Sequence, residues 1–404
     1  MKFFHRKTHY VPTFWGWLLI LFAIFLLFFF FINNIAYFLS RNDTCNSKVL
    51  VIEGWIPEEG LRKAVQLYDS CGYEYMIMTG IPITQWTYSS PYSNMADASA
   101  RSVKEMFFKD SIYTVSIPNT ITRDRTYSTA VALKLKWNSY NIPYDDFDLF
   151  SMGAHARRSF NMYEKAFGKR IKGVIACEDD TFDIRKWYHT SRGFRTILSE
   201  FLSYTYALLF FNPDEQEVVE KIQLGSYIDS IQTKRFAKDK LFDKKETSPL
   251  NDSCIKYFRG LKYFPIHPDY KVTAFIERNT ATEPFKMQTS GTREPNYIKF
   301  GTLHFTIRDT AQTLAVYQNL DLIRKDSSMN NHLFVPFKDL TSLQKSYGGG
   351  RYIDLQYNDS EIIVIDFNLA YNPYCAYDSR WSCPIPPDEN HLSVHILAGE
   401  KKFY

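Results

Sequence analysis

The chain contains no GxGxxG, Walker A, GxSxG or HExxH pattern. That removes the usual signatures of dinucleotide binders, nucleotide hydrolases, serine hydrolases and zinc proteases. No dense Lys/Arg run appears, and a net charge of +4 over 404 residues is too small for a nucleic-acid binder. Six cysteines are present (Cys45, Cys71, Cys177, Cys254, Cys375 and Cys383), without CxxC or Cys/His zinc spacing. There is no internal repeat and no low-complexity stretch. The most telling absence is local: no charged residue occurs from Val11 to Ser40.

That uncharged segment is nearly all Leu, Ile, Phe, Ala and Trp between Trp15 and Ile32. Spanning the hydrocarbon of a bilayer takes about 20 such residues. A buried soluble helix is rarely apolar on every face for so long. A cleaved signal peptide fits less well, because the apolar core is too long and no small-x-small site follows. Residues 11–40 therefore read as a transmembrane anchor. Lys2, Arg6 and Lys7 precede it, so the positive-inside rule places residues 1–10 in the cytoplasm and the remainder outside. Trp15, Trp17 and Tyr37 suit the two interfaces. Disulfides are permitted outside the cytoplasm. Cys375 and Cys383 are the expected pair, and the other cysteines read as free buried thiols.

Beyond a polar linker, strand-like and helix-like segments alternate. Strands are expected at Val49–Ile52, Tyr75–Met78, Tyr113–Ile117, Phe147–Met152 and Gly173–Cys177. Helices are expected from Pro57 onward, around Met95–Phe108, from Thr126 to Trp137 and over Arg157–Phe167. This pattern predicts an α/β Rossmann-like, doubly wound parallel sheet over residues 47–212. Residues 196–211 end in an apolar run and read as a buried or membrane-skimming helix. Residues 213–244 read as a charged helical connector. Residues 245–404 then show strands and turns, at Tyr270–Ile276, Tyr297–Ile307, Gln312–Asn319, Leu333–Phe337, Tyr352–Gln356, Glu361–Phe367 and Leu392–Leu397. They predict a mainly-β domain, a sandwich or a barrel-like sheet.

Open α/β sheets bind ligands at the carboxyl ends of their strands. Glu53, Thr79-Gly80, Arg125-Thr126 and His155 all follow expected strands. Arg125 and Arg158 carry guanidinium forks that match phosphate or carboxylate oxygens, and helix N-termini add donors. His155 can move a proton near neutral pH, with Glu53 or Glu200 assisting. An Arg pair on a helix is more often solvated, which is the reading for Arg157. A divalent-metal site from Glu178, Asp179, Asp180 and His155 is the lesser alternative, since acidic runs after strands are usually solvated turns. No metal is assigned.

The stretches VLVIEGWIPEEGLRKAVQLY, YMIMTG, RDRTYSTAVAL and SMGAHARRSFNMYEKAFG, with Glu200, resemble the YdcF/SanA/ElyC family (domain of unknown function two-eighteen) over about 47–212. The resemblance implies a Rossmann-like fold, membrane anchoring and a link to envelope integrity. For some members it implies roles in lipid-carrier or peptidoglycan metabolism, and for another S-adenosylmethionine binding. The family often opens with a Gly-rich strand end, whereas this chain has Glu53-Gly54-Trp55.

The segments SYGGGRYIDL and VIDFNLAYNPYCAYDSRWSCPIPPDENHLSVHILAGEK resemble a second uncharacterised family (domain of unknown function sixteen-eighty-four), which implies no mechanism. Gly348-Gly349-Gly350 permits unusual backbone or close approach of a ligand. The Asn, Pro and Gly there suit a structural loop. The alternative is a binding site built from Asp339, Arg351, Asp366, Asn368, Asn372, Glu389 and Glu400.

Two functions follow as expectations. In the first, a membrane-anchored envelope enzyme, periplasmic in placement, acts on an anionic precursor. Arg125, Arg158, Thr79, Gly80, Thr126 and Glu200 hold it, and His155 and Glu53 do the acid–base work. In the second, the same pocket belongs to a non-enzymatic binding or assembly factor. No cofactor, protein partner or oligomeric state follows from the sequence.

Overall fold

The computed structural model describes residues 12–83, 94–106, 108–280 and 283–404. The basic tail expected in the cytoplasm lies outside them. Two compact units divide the chain at Ser226/Tyr227.

The first unit begins with helix α1 (Phe14–Leu39), capped by Thr13, whose hydroxyl accepts the Gly16 amide. It is long and apolar enough to cross a membrane. At 1.5 Å per residue its 26 residues reach about 39 Å, more than the ~30 Å of bilayer hydrocarbon. At its C-terminal end Ile35, Ala36 and Leu39 are buried among Ala154, Trp187 and Ile197.

The chain then alternates β1 (Val49–Glu53), α2 (Glu58–Cys71), β2 (Tyr75–Gly80), α3 (Met95–Glu105), β3 (Ile112–Ser116), α4 (Arg125–Lys136), β4 (Phe147–Met152), α5 (Ala156–Phe167) and β5 (Ile171–Cys177). The five strands form a parallel sheet in the order β3-β2-β1-β4-β5. Helices cover both faces, which is why β1 is buried throughout and apolar until Glu53. One core packs α4 and α5 on the sheet, and the other packs α2 and α3. The order reverses between β1 and β4, and that topological switch point opens the crevice at the carboxyl edge. Gly80 is required at the end of β2, since a Cβ there would collide with the Ala96 backbone.

Helix α6 (Ser191–Leu209) is not buried as a whole. Ile197, Phe201 and Tyr204 face α1 and its neighbours, whereas Phe194, Leu198, Leu202, Tyr206 and Leu209 form an exposed apolar stripe at helical spacing. Helix α7 (Glu215–Asp243) carries the chain into the second unit.

The second unit is a curled antiparallel sheet, a half-barrel and not a sandwich. Its strands are β6 (Lys271–Arg278), β7 (Phe285–Lys286), β8 (Asn296–Ile307), β9 (Thr310–Asn319), β10 (His332–Phe337), β11 (Arg351–Gln356) and β12 (Ile362–Asp366). The order is β11-β10-β9-β8-β6-β12, with β7 paired to β8. Leu303, Leu314, Val335, Ile353 and Ile365 fill the concave core.

The strand expected at Leu392–Leu397 is not one. Leu392 and Ile396 are buried as their alternation implies, but the backbone bonds irregularly: Leu392 N–H to the Lys338 carbonyl, Ser393 N–H to Gln312 Oε1, and Ile396 N–H to Asp339 Oδ2. The cysteine expectation is also corrected. Cys45 and Cys71 form the disulfide, joining the linker to the end of α2. Cys375 and Cys383 are free, with the Cys375 amide donating to Cys383 Sγ at 3.3 Å.

Candidate functional site

Segments from several strands and helices of the first unit converge on a cavity of about 820 Å³. Glu53, Thr79, Gly80, Arg125, Thr126, His155, Arg158 and Glu200 all line it. They come from the ends of β1 and β2, the start of α4, the turn between β4 and α5, the first turn of α5, and the middle of α6.

His155 sits at the centre. Its Nδ1 lies 2.9 Å from Glu200 Oε1, and its Nε2 lies 3.9 Å from Glu53 Oε1. Arg158, one helical turn on, donates from Nε to Glu200 Oε2 at 2.9 Å. Arg158 Nη2 is also 2.9 Å from His155 Nδ1, a contact that asks the ring nitrogen to accept where Glu200 asks it to donate. The carboxylate prevails. Burial opposes ionisation of Glu200, yet the hydrogen bonds and charges of His155 and Arg158 hold it at about 2, so it is an anion at neutral pH. A proton on Nδ1 then meets an acceptor, and the Nε2 lone pair faces Glu53 and the cavity. Trp55 lies edge-on to the imidazole, with ring centroids 5.0 Å apart.

Glu53 is buried (4% exposed) and does not stand alone. Ser151 and Ser159 both donate hydroxyl hydrogen bonds to its carboxylate. Thr79 is buried beneath the cavity, donating to the Ile52 carbonyl and accepting from Tyr163, so it acts as a tie between strands and helix. Gly80 allows α3 to approach.

Helix α4 opens the cavity's other side. Asp124 precedes it with φ of 50° and makes no side-chain cap, so the first-turn amides near Arg125 and Thr126 keep their donor capacity. Arg125 is exposed at this rim. Arg157 points elsewhere: it bonds the Phe38 carbonyl at the end of α1, with its guanidinium 4.0 Å over the Phe38 ring. The lower wall is apolar, from Leu202, Tyr206, Ala207 and Phe211.

The acidic run after β5 does not join His155. Asp180 pairs with Lys63 at 2.8 Å and Asp179 accepts from Thr181, and among the described residues no group of three or more His, Cys, Asp and Glu side chains could hold a metal. Sequence reasoning missed Trp55, Ser151, Ser159 and the apolar wall. The serines had a signal, each standing four residues from His155 within SMGAHARRSF.

In the second unit the seven candidate residues do not share a cavity. Arg351 and Asp339 form a fully buried ion pair at 3.0 Å, and Arg351 also donates to the Ile396 and Ala398 carbonyls. Asp366 accepts from Tyr227 and from the Asn368 amide. Glu400 accepts from Lys238, Tyr377 and the Asn372 amide. Glu389 is separate, at an exposed edge with Lys299 and Tyr317. Gly350, with φ of 94°, packs where a Cβ would lie 2.7 Å from the Phe337 carbonyl.

Fold and site together define a two-unit protein, with a polar crevice in an α/β domain and a curled antiparallel domain after it. Residues 256–401 match the family model described as protein of unknown function (DUF1684), and this C-terminal part of the chain belongs to that family. An uncharacterized protein of Haloarcula marismortui, solved in solution by NMR, is 35% identical; the alignment covers 44% of this chain and 96% of that one, with a TM-score of 0.36. No curated protein matches.

Proposed function

We propose that the chain is a membrane-anchored cell-envelope protein whose α/β domain acts on a phosphorylated amphiphile, with both units on the periplasmic side. The observation that carries this reading is His155, held by Glu200 with its Nε2 open to a cavity that is polar at one wall and apolar at the other. The polar wall suits an anionic head: Arg125 and the α4 amides supply positive charge, and Nε2 takes a proton from a water that attacks phosphorus and returns it to the ester oxygen that leaves, so that phosphate and the free alcohol result. Glu200 stabilises the imidazolium that results. The apolar wall belongs to α6, whose other face packs on the C-terminal part of α1 through Phe31–Phe201 and Phe38–Tyr204. An acyl or prenyl tail would run along the exposed stripe of α6 toward the bilayer. The basic residues before α1 support a cytoplasmic N-terminus. The resemblance of residues 47–212 to the YdcF/SanA/ElyC family supports the same assignment.

One observation favours a second reading, a non-enzymatic binding or assembly factor. Glu200 already neutralises Arg158, and among the described residues Arg125 is the cavity guanidinium that takes part in no ion pair. The full chain in neutral detergent, given a short-chain polyprenyl phosphate or pyrophosphate, separates the two. Release of phosphate that His155→Ala abolishes while ligand binding survives supports the enzyme. Binding without turnover supports the second reading, and neither binding nor turnover refutes both.

A further inference from the structure

The second unit holds a cavity of about 710 Å³ whose charged lining is of one sign. Lys262, Arg308, Lys345, Lys401 and Lys402 surround it, and no Asp or Glu contributes to its wall. Among the described residues none of these five side chains takes part in an ion pair. Nearby lysines do: Lys238 pairs with Glu400 and Lys299 with Glu389, both at 2.5 Å. The cavity cations have therefore been gathered without counter-charges in a domain that supplies them elsewhere.

The backbone fixes the gathering. The Lys401 amide donates to the Lys262 carbonyl at 2.8 Å, and the Lys402 amide to the Lys345 carbonyl at 3.0 Å. The C-terminal segment is thus tied to two other segments, and each tie joins two lysines. Arg308 arrives from the two-residue turn between β8 and β9, where Arg308 and Asp309 have φ of 48° and 60°. Such a turn favours Asn-Gly, because L side chains there are strained. Arg308 nevertheless stands there, with its guanidinium 4.9 Å over the Tyr270 ring, and Lys401 Nζ lies 5.3 Å over Phe264. Both rings are buried and form a dry floor that holds the cations and lowers the dielectric around them.

We propose that this cavity is a binding site for a phosphate-bearing ligand of two or more negative charges. Its volume is that of a small-molecule site and not of a polymer track. Four ammonium groups act as rotatable point charges beside the Arg308 guanidinium, and together they can meet the several oxygens of a tetrahedral, multiply charged phosphate. The proposal makes no use of the His155 cavity and stands if that reading fails.

The test is calorimetric titration of the full chain in neutral detergent with sodium pyrophosphate, with citrate as the polycarboxylate control and dihexanoyl phosphatidic acid as the headgroup arm. Pyrophosphate binding is expected to exceed citrate binding and to weaken as salt rises. Lys345→Gln with Lys401→Gln should weaken it by about tenfold or more, the arginine pair Lys345→Arg with Lys401→Arg should keep it, and Lys299→Gln should leave it unchanged. The same order among the Lys345 and Lys401 variants is expected in an Arg158→Ala background, where the His155 cavity is disabled, which separates this site from the first. Tighter binding of the phosphatidic acid than of pyrophosphate assigns the site to a lipid headgroup, and the reverse order to a soluble phosphate compound. No binding, equal binding of citrate, or loss in Arg158→Ala with retention in the double glutamine variant overturns the proposal.

Discussion

Replacing Glu200 with Gln removes one charge and keeps the shape of the side chain, so it isolates the ionic hold on His155 and Arg158. The Glu200 carboxyl sits at about 2 against an ordinary 4.5, burial being outweighed by its hydrogen bonds and electrostatic interactions with His155 and Arg158. Its side chain is only 16% exposed, so solvent screening removes little of this. A depression of that size corresponds to about 3 kcal/mol of stability at pH 7. Because the folded value lies below the unfolded one, the contribution is complete above pH 4.5 and is lost as pH falls toward 2. At pH 3 about 1.4 kcal/mol remains. Glu200→Gln should therefore lower the Tm of the first unit by roughly 6–12 °C at pH 7, and the gap should shrink to about half at pH 3. Hydrogen exchange across α5 and α6 on the full chain in detergent reads the same difference locally. Equal protection of wild type and variant at pH 7, or a gap unchanged at pH 3, would refute the ionic account.

Other expectations are simpler. Reducing Cys45–Cys71, which spans 26 positions, or replacing Cys45 with Ser should cost the first unit about 3–4 kcal/mol, read by chemical denaturation with and without reductant. Asp339→Asn should strand the buried Arg351 guanidinium and destabilise the second unit by about 3–5 kcal/mol in the same assay, whereas Glu389→Gln at its exposed edge should cost under about 1 kcal/mol. Leu209→Glu with Phe210→Glu on the exposed end of α6 should leave folding unchanged by circular dichroism. It should also abolish turnover or binding of a long-chain polyprenyl phosphate while sparing a short-chain one; equal loss of both would show that the stripe carries no tail.

The α/β sheet was legible because its strands are short apolar runs ended by Glu53, Thr79-Gly80 and Gly153, and because a parallel sheet puts every such ending at one edge. That single topological rule brought Glu53, Arg125 and His155 together from positions about a hundred residues apart. Glu200 was less predictable, since nothing local to α6 distinguishes a carboxylate that faces the crevice from one that faces water. The disulfide was misassigned for a related reason. Cys375 and Cys383 are near in sequence, while Cys45 and Cys71 become near only when α2 packs back on β1. Leu392–Leu397 shows the converse limit: alternation reports burial, and a segment can bury alternate residues while bonding to side chains such as Asp339 and Gln312.

The two units also show why charge type alone does not mark a site. Arg351, Asp339, Asp366 and Glu400 are the charged residues a reader of the second unit would choose, and nearly all their polar atoms are met by protein partners. Such groups are costly to break and have little capacity left for a ligand. The exposed Lys345 and Lys402 and the half-buried Lys401 look ordinary in sequence, yet among the described residues none of their side chains is in an ion pair. In the first unit His155 combines both conditions, its Nδ1 fixed by Glu200 and its Nε2 left free. Residual bonding capacity at a held position is what separates these places from the rest of the molecule. That capacity depends on where partners fall in space, so the sequence could propose the residues and only the fold could sort them.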